Sequence, residues 1–523
     1  MSGNSRPHYA ARVSALLLSD LVTASSEVAA TRARTSKVAT LAALLTRAAD
    51  DSPRAVGLTV AFLSARVPQG RLGVGYRSFG QLPAPAETTS LTLADVDQAF
   101  LTLAAAAGQG SATVRRTTLA DLFSRATADE QTFLRGLISG ELRQGSLDGV
   151  MQQAVAKAAG VPDDSVRRAA MLAGHLHEVA PIALTEGSAG LDQITLEVLR
   201  PVAPMLAASS PDVAGALTGD GPWSVERKLD GIRLQIHKDG DRVRLFTRSL
   251  DEITDRLPEV VETIKALPCD SCVLDGEAIA MRPDGRPEPF QVTGSRTASS
   301  AAPATLRERT PLTTYVFDLL LLDDTPLLDE PLAERKRRLA ALVRPESLIT
   351  SLDTSDPAAA EQFFADQVAA GHEGVVVKSL TSPYAAGRRG GSWVKVKPRH
   401  TLDLVVLAVE RGSGRRKGLL SNIHLGARDG ESYVMLGKTF KGMTDEMLAW
   451  QTERFRELAV SDDGWVVTLR PEQVVEIAFD GLQRSTRYPG GMALRFARVL
   501  RYRDDKTAAE ADTIETVRTL AGH

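Results

Sequence analysis

The sequence has few cysteines and few aromatic residues, and it lacks long apolar runs. Its 523 residues include two cysteines, Cys269 and Cys272, which excludes a disulfide scaffold and a four-cysteine zinc site. No apolar run approaches the roughly 18 residues that a membrane-spanning helix requires. The apolar stretch 15–18 ends at Ser19 and Asp20, too soon for a signal peptide. We therefore expect a cytosolic protein with no membrane partner.

A strong charge of either sign is also missing. The chain has 62 basic and 65 acidic residues, a formal net charge of −3, and a pI of about 6.3. Charge alone thus argues against a nucleic-acid partner. Hydrophobic residues make up 43% and charged residues 24%, which is ordinary for a globular protein. The length predicts about three domains.

The first region, residues 1–195, is predicted to be all α-helical. It is rich in Ala and Leu, and apolar residues recur at helical spacing, as in Leu134, Leu137 and Ile138. Gly- and Pro-containing stretches at 67–75 and 81–86 are expected to divide it into short helices. The sequence 90–95 is typical of a helix start. Taken alone, this region is equally well interpreted as a scaffold or interaction module.

The other two regions have a different sequence pattern, in which short β-rich runs appear. Residues 196–400 mix short β-rich runs with periodic helical stretches, which predicts an α+β or α/β domain. Residues 401–523 contain strand-like runs and one helical stretch, 444–458, which predicts a small β-barrel. The predicted strands are 223–225, 243–246, 315–317, 374–377, 404–409, 433–436 and 474–479, and further helices are predicted at 332–343 and 361–370. The Ala- and Ser-rich stretch 297–305 is predicted to be a loop.

The chemistry is concentrated in the middle region, beginning with the sequence 226–233. A predicted strand leads into the turn signal Asp230-Gly231. Because successive strand residues point to opposite faces, Glu226 and Lys228 share a face. A lysine beside a glutamate is usually only a surface ion pair. The functional interpretation requires an amine that attacks phosphorus.

The order of the other charged strand ends favours the functional interpretation. Lys395 and Lys397 are two residues apart and would face the same way, either to hold a polyphosphate or to protect a solvated strand edge. The segments in question follow one another as Phe246–Ser249, Leu274–Glu277, Tyr315–Asp318, Glu373–Lys378 and Trp393–Lys397. Each segment alone is weak evidence for a function, but a chance match to all of them in this order is very unlikely.

Together these segments resemble the covalent nucleotidyltransferases, and among them the ATP-dependent DNA ligases. Lys228–Arg233 match the K-x-D-G-x-R signature, and the remaining five motifs follow in family order. Residues 401–438 resemble a ligase OB-fold, and 494–506 resemble the last family motif, with Ala497 where many relatives have proline. Residues 134–145 resemble the helical DNA-binding domain of archaeal and eukaryotic-type ligases, and bacterial members of that group are similar over nearly the whole chain.

The resemblance implies a helical DNA-binding domain at 1–195, an adenylation domain at 196–400 and an OB-fold domain at 401–523. It also implies that Lys228 attacks the α-phosphorus of ATP to give lysyl-AMP and pyrophosphate. The implied nucleotide contacts are Glu226 (adenine amino group), Phe317 (stacking), Glu277 (ribose or metal), Arg233 and Arg248 (ribose and phosphates), Arg389, Lys395 and Lys397 (phosphate charge), and Arg498 and Lys506 (pyrophosphate). Glu373 and Glu277 are the implied Mg²⁺ carboxylates.

The implied partner is nicked duplex DNA, bound by a monomer. AMP would pass from Lys228 to the 5′-phosphate of the nick, and the 3′-hydroxyl would then expel it, in replication, recombination or repair. Work on a bacterial chromosome would place the protein at the nucleoid. A sliding clamp is a candidate partner, although the sequence contains no clear clamp-binding motif.

Rival functions make different demands on the sequence. An mRNA-capping enzyme would not need the long helical region, and an NAD-dependent ligase would need a nicotinamide-recognising domain. An RNA ligase remains an alternative. A multifunctional end-joining ligase would carry fused domains for which 523 residues leave no room. A non-catalytic DNA-binding relative would have lost the nucleophile motif, which is intact here. The charged run 334–338 is interpreted as a solvated helix face.

Overall fold

A computed structural model describes residues 15–142, 148–219, 221–299, 301–385 and 391–521 of the chain, except the side chains of Tyr76, Arg77 and Arg415. The chain forms two compact units. The first unit consists of the chain up to Ala208, Thr218–Ser355 and Lys378–Val394. The second unit consists of Ser209–Leu217, Asp356–Val377 and the chain from Lys395 onward. The first unit therefore combines the helical region with much of the middle region.

The helical region has the predicted all-α structure. Some helices bury one face, as α6 does with Phe133, Leu134 and Leu137, whereas α3 is buried on every side over 58–63. These side chains belong to one apolar core. The α-helices described here are α1 (Leu18–Ala30), α2 (Arg34–Asp51), α3 (Pro53–Leu63), α4 (Leu93–Ala105), α5 (Ser111–Ser124), α6 (Ala128–Ser139), α7 (Asp148–Ala159), α8 (Asp163–Ala173) and α9 (Leu176–Asp192). The stretches 67–75 and 81–86 lie outside these helices, as predicted.

The predicted helix start near residue 92 is confirmed. Thr92 caps α4 because its Oγ1 accepts a hydrogen bond from the Asp95 backbone N–H at 3.1 Å. The Asp95 carboxylate accepts one in return from the Thr92 backbone N–H at 2.9 Å. This reciprocal arrangement satisfies two backbone donors that the first helical turn would otherwise leave unbonded.

The middle region is built on antiparallel strands. One five-stranded sheet, which lies entirely within the first unit, has the strand order β4-β3-β5-β6-β7, and β2 pairs with β8. The elements are β1 (Ala208–Ser210), β2 (Trp223–Lys228), β3 (Ile232–Asp239), β4 (Arg242–Thr247), α10 (Pro258–Lys265), β5 (Ser271–Ala280), α11 (Phe290–Ala298), α12 (Pro303–Arg309), β6 (Leu312–Leu322), β7 (Thr325–Pro326), α13 (Leu332–Leu342), β8 (Ser351–Thr354), α14 (Pro357–Ala369), β9 (Gly374–Ser379) and β10 (Trp393–Val396). All predicted strands and both predicted helices of this region are present.

The loop predicted at 297–305 is wrong for most of its length. Thr297 and Ala298 complete α11, and Pro303 occupies the first turn of α12. Proline suits that position because its missing N–H would be unbonded there in any case. Of the described residues, Ser299, Ala301 and Ala302 lie between the two helices, and residue 300 is outside the described part of the chain.

The C-terminal region is rich in β-structure. Strand β11 pairs antiparallel with β12, β15 and β16, and β12 pairs with β13, within a seven-stranded sheet. The elements are β11 (His400–Arg411), β12 (Leu420–Asp429), β13 (Ser432–Thr439), α15 (Asp445–Glu457), β14 (Ala459–Asp462), β15 (Val466–Leu469), β16 (Val474–Phe479), β17 (Gly481–Arg484), β18 (Met492–Arg495), β19 (Arg498–Tyr502) and α16 (Ile514–Leu520). Across the described residues, no helix is long and apolar enough to cross a bilayer.

Candidate active site

Lys228 and Glu226 lie on the same strand, β2, with two-residue spacing as predicted. Lys228 is half-buried, and its Nζ donates a hydrogen bond to the Leu229 carbonyl oxygen at 3.0 Å. Glu226 is almost fully buried. The strand therefore presents one partly accessible amine and one enclosed carboxylate on the same face.

The Glu226 carboxylate forms an ion pair with Lys378, the last residue of the motif that begins at Glu373. The distance from Glu226 Oε2 to Lys378 Nζ is 2.5 Å, and both side chains are at most 3% exposed. Lys378 Nζ also lies 4.4 Å from the ring centroid of Phe317 and 4.0 Å from that of Trp393. The predicted adenine reader and the predicted stacking ring thus meet around a lysine whose role sequence reasoning missed.

Glycine at position 231 is required because the turn just before β3 approaches β5 closely. A Cβ at this position would lie 2.5 Å from the Ala278 carbonyl oxygen. The Gly231 backbone N–H donates to Glu277 Oε1 at 2.6 Å. The turn after Lys228 is thereby attached to the carboxylate that sequence analysis assigned to ribose or metal.

Arg233 is held in a buried network. Its Nε and Nη2 donate to the two carboxylate oxygens of Asp275 at 3.0 and 2.6 Å, and its Nη1 donates to the Met205 carbonyl oxygen. Burial opposes its charge, but the attraction of Asp275 outweighs this and raises the pKa of Arg233. Tyr384 donates to the same Asp275 carboxylate at 3.0 Å. The implied ribose or phosphate contact of Arg233 stays a prediction.

The interpretation of 334–338 as a solvated helix face is wrong for Arg335. Its guanidinium is completely buried and forms a bidentate pair with the equally buried Asp318, at 2.7 and 2.9 Å. Asp318 follows Phe317 on β6, so α13 packs its arginine directly behind the predicted stacking residue. A charged run on a helix gave no sign that one member points inward.

Glu373 and Lys397 contact each other in the second unit. Lys397, one residue beyond β10, forms an ion pair with Glu373 and a weaker one with Asp480 at 3.4 Å. Burial lowers the pKa of Lys397, but Glu373 and Asp480 raise it by more. The predicted metal carboxylate and one predicted phosphate lysine are thus neighbours.

The remaining predicted residues are less enclosed. Arg248 is exposed just after β4, Lys395 is half-buried on β10, and Arg498 is exposed at the start of β19. Lys506 Nζ contacts Asp403 Oδ2 at 2.6 Å, an oxygen that Arg503 also contacts at 2.9 Å. Arg389 lies outside the described residues.

Comparison with known proteins agrees with this architecture. Three family models match: "DNA ligase N terminus" at residues 74–156, "ATP dependent DNA ligase domain" at 204–397 and "ATP dependent DNA ligase C terminal region" at 416–506. A probable DNA ligase of Beutenbergia cavernae is 60% identical over 517 residues, covering 97% of this chain and 100% of that protein. A probable DNA ligase of Kineococcus radiotolerans is 58% identical over 509 residues, covering 97% and 100%.

A solved structure shares the fold. The protein described as Pmar-Lig_PreS3 aligns with a TM-score of 0.61 at 18% identity, over 92% of this chain and 99% of that one. A helical N-terminal region, a central adenylation domain and a C-terminal β-rich domain define an ATP-dependent nucleotidyltransferase architecture. The chain belongs to the ATP-dependent DNA ligase family. The predicted family and fold class are therefore confirmed.

Proposed function

We propose that this protein seals nicks in duplex DNA, using ATP, through lysyl-AMP and DNA-adenylate intermediates. The observation that carries the proposal is the placement of Lys228 on the same face of β2 as Glu226, which contacts the Lys378 ammonium beside Phe317. In the first step the Lys228 amine forms a bond to the α-phosphorus as the bond to pyrophosphate breaks. Most of the catalysis in such transfers comes from positioning and from neutralising charge.

The nucleotide contacts of the proposal follow the family resemblance. Glu226 accepts from the adenine amino group and Phe317 stacks on the base. Arg233 and Arg248 bind ribose and phosphates, Arg389, Lys395 and Lys397 hold phosphate charge, and Arg498 and Lys506 orient the pyrophosphate. Domain limits of 1–195, 196–400 and 401–523 are part of the same proposal.

Mg²⁺ is the proposed metal, and Glu277 and Glu373 are its proposed protein ligands. Carboxylate oxygens are the ligands that Mg²⁺ prefers, and it commonly uses only one or two of them. When bound, the ion would neutralise developing charge on the phosphates. Glu373 is held by Lys397 and Glu277 by the Gly231 N–H, so each carboxylate has a fixed neighbour.

The proposed substrate is a nick with a 5′-phosphate and a 3′-hydroxyl, and the proposed setting is the cytosol, at the nucleoid. The protein is proposed to act as a monomer, with a sliding clamp as a candidate partner. Its use in replication, recombination or repair follows from the same nick-sealing reaction.

The test is covalent labelling with α-labelled ATP and Mg²⁺. We expect a labelled protein that is absent in Lys228→Ala, present in the matched control Lys265→Ala at the exposed end of α10, and lost when EDTA removes the metal. Label that persists on Lys228→Ala, or stronger labelling by GTP than by ATP, would contradict the assignment. Transfer of the label to a nicked duplex, followed by sealing, tests the remaining steps.

A further inference from the structure

The Glu226 carboxylate is held from two sides. Its Oε2 pairs with Lys378 Nζ at 2.5 Å, and its Oε1 accepts a hydrogen bond from Ser224 Oγ at 3.3 Å. Ser224 is on the same strand, two residues earlier, and is completely buried. A buried carboxylate with such fixed neighbours has little freedom to reorient.

Lys336, on α13, fixes the direction of the Ser224 hydroxyl. Its Nζ lies 2.5 Å from Ser224 Oγ and 2.5 Å from Asp353 Oδ1 on β8. An ammonium group can only donate, so the Ser224 oxygen must accept from Lys336. The single hydroxyl proton of Ser224 is then directed to Glu226 Oε1. Lys336 therefore acts on Glu226 through Ser224.

The charges around Glu226 decide its protonation. Burial is the largest effect and raises the pKa of Glu226, while Lys378 on β9 and Lys336 on α13 lower it, and Asp318 on β6 raises it. Asp318 is itself paired with Arg335, and Asp353 with Lys336. The two lysines are thus the groups that favour the ionised carboxylate against its burial.

Protonation changes what a carboxyl group can recognise. An ionised carboxylate only accepts hydrogen bonds, whereas a protonated one also donates. Adenine carries an amino group at position 6, which donates, and hypoxanthine carries a carbonyl oxygen there, which accepts. We propose that Lys378 directly, and Lys336 through Ser224, keep Glu226 an acceptor and so make the site select a 6-amino purine over a 6-oxo purine. This inference rests on the proposed function, in which Glu226 reads the base.

The experiment compares ATP with ITP as the nucleotidyl donor, which gives lysyl-AMP or lysyl-IMP, in the full-length protein carrying Lys336→Met. We expect the KM for ATP to rise several-fold with a smaller change in kcat. The ATP-to-ITP ratio of kcat/KM should fall about tenfold, because the lost preference amounts to roughly one hydrogen bond to a charged group. Raising the pH should restore the ratio, since Glu226 then ionises without help from Lys336.

Two matched variants separate this role from a general structural one. Lys336→Arg keeps the cation and should retain the wild-type ratio. Arg337→Met removes an exposed charge from the next position of α13 and should also leave the ratio unchanged. If Lys336→Met folds poorly, Ser224→Ala provides the same test with the loss of one hydroxyl.

An unchanged ATP-to-ITP ratio in Lys336→Met or Ser224→Ala overturns the inference. So does a reduced ratio that is the same at every pH, because a distorted pocket would not recover on ionisation of Glu226. These outcomes differ from failure of the proposed function, in which the wild-type protein would form no lysyl-nucleotide adduct with either nucleotide.

Discussion

At the scale of single residues, stability depends most clearly on the ion pair of Arg335 and Asp318, because both side chains are fully buried. Besides Asp318, the Arg335 guanidinium donates to the carbonyl oxygens of Glu330 and Ser382. A buried ion pair adds little relative to apolar residues of the same shape, but removal of one partner leaves an uncompensated buried charge. We therefore expect the attraction within the pair to add little to stability, whereas removal of one partner should destabilise the protein strongly.

Replacement of Arg335 by Met is expected to lower the free energy of unfolding by about 3–5 kcal/mol. The reason is the isolated Asp318 carboxylate left in the core. Urea unfolding followed by circular dichroism measures the change. The matched control is Arg337→Met on the same helix, whose exposed pair with Glu334 is screened by water, so its loss should change the free energy of unfolding far less. Equal losses for the two variants would contradict the assigned burial.

Local sequence explains which of these residues could be predicted. Lys228 and Glu226 are two apart on a β-rich run, so strand geometry alone puts them on one face. Arg335 stands in a run of charges, and its partner Asp318 is 17 residues earlier on another element. Lys336 and Ser224 are separated by 112 residues. Pairs of residues that tertiary packing brings together cannot be predicted from a short stretch of sequence.

At the scale of elements, the start of α9 contains a pair of half-buried histidines. The His175 and His177 rings are stacked, with centroids 5.2 Å apart and planes at 23°. Burial, the neighbouring His175, and then Arg66 and Arg54 lower the pKa of His177 to about 4. Protonation of this ring is therefore opposed both by burial and by adjacent cations.

The lowered pKa predicts that acid destabilises the helical region. An unfolded histidine titrates near pH 6.5, so between about pH 6.5 and 4 the unfolded chain binds more protons than the folded one. Above about pH 6.5 His177 is neutral in both states and its titration costs no stability. As the pH falls from about 6.5 to about 4, the unfolded chain takes up the proton first, and the free energy of unfolding decreases. Urea unfolding at pH 7.5 and pH 5 should show a smaller acid-induced loss for His177→Gln than for wild type. Identical pH dependence for His177→Gln and wild type would count against the assigned environment.

Secondary structure was more accessible from sequence than these environments. Runs such as 374–377 and 474–479 are strands because β-branched residues pack well on a pleated sheet, and both were predicted. The stretch 297–305 was misassigned because Ala and Ser suggested a loop, whereas alanine is a strong helix former and Pro303 suits a first turn. A loop was predicted there because the Ala- and Ser-rich composition was considered without the helix propensity of alanine.

At the scale of the whole molecule, the net charge of −3 conceals local excesses. Residues 484–506 contain seven basic and two acidic side chains. Arg484, on β17, and Arg487 are both exposed. A family that binds DNA needs phosphate contacts, and these are set by local rather than net charge. The initial inference against a nucleic-acid partner was wrong because it averaged over the surface.

Binding to a nicked duplex should weaken steeply with salt. Each phosphate neutralised contributes about −0.9 to the slope of log K against log salt concentration. If Arg484 and Arg487 each contact a phosphate, Arg484→Gln and Arg487→Gln should each reduce the steepness by about that amount. Arg470→Gln, at a half-exposed residue paired with Glu472, is the control. Fluorescence anisotropy over a range of salt concentrations gives the slopes, and unaltered slopes would remove both arginines from the interface.

The helical region and the part of the middle region that belongs to the first unit share part of one apolar core. Met171 and Leu172 of α8 belong to the same buried cluster as Val273 of β5 and Leu320 of β6. Arg168 on α8 adds an exposed bidentate pair with Asp329, at 2.7 Å for both contacts. Melting of either region alone would expose the apolar surface of the other to water. The two should therefore lose their structure as one cooperative body on heating, so that calorimetry records a single transition for both.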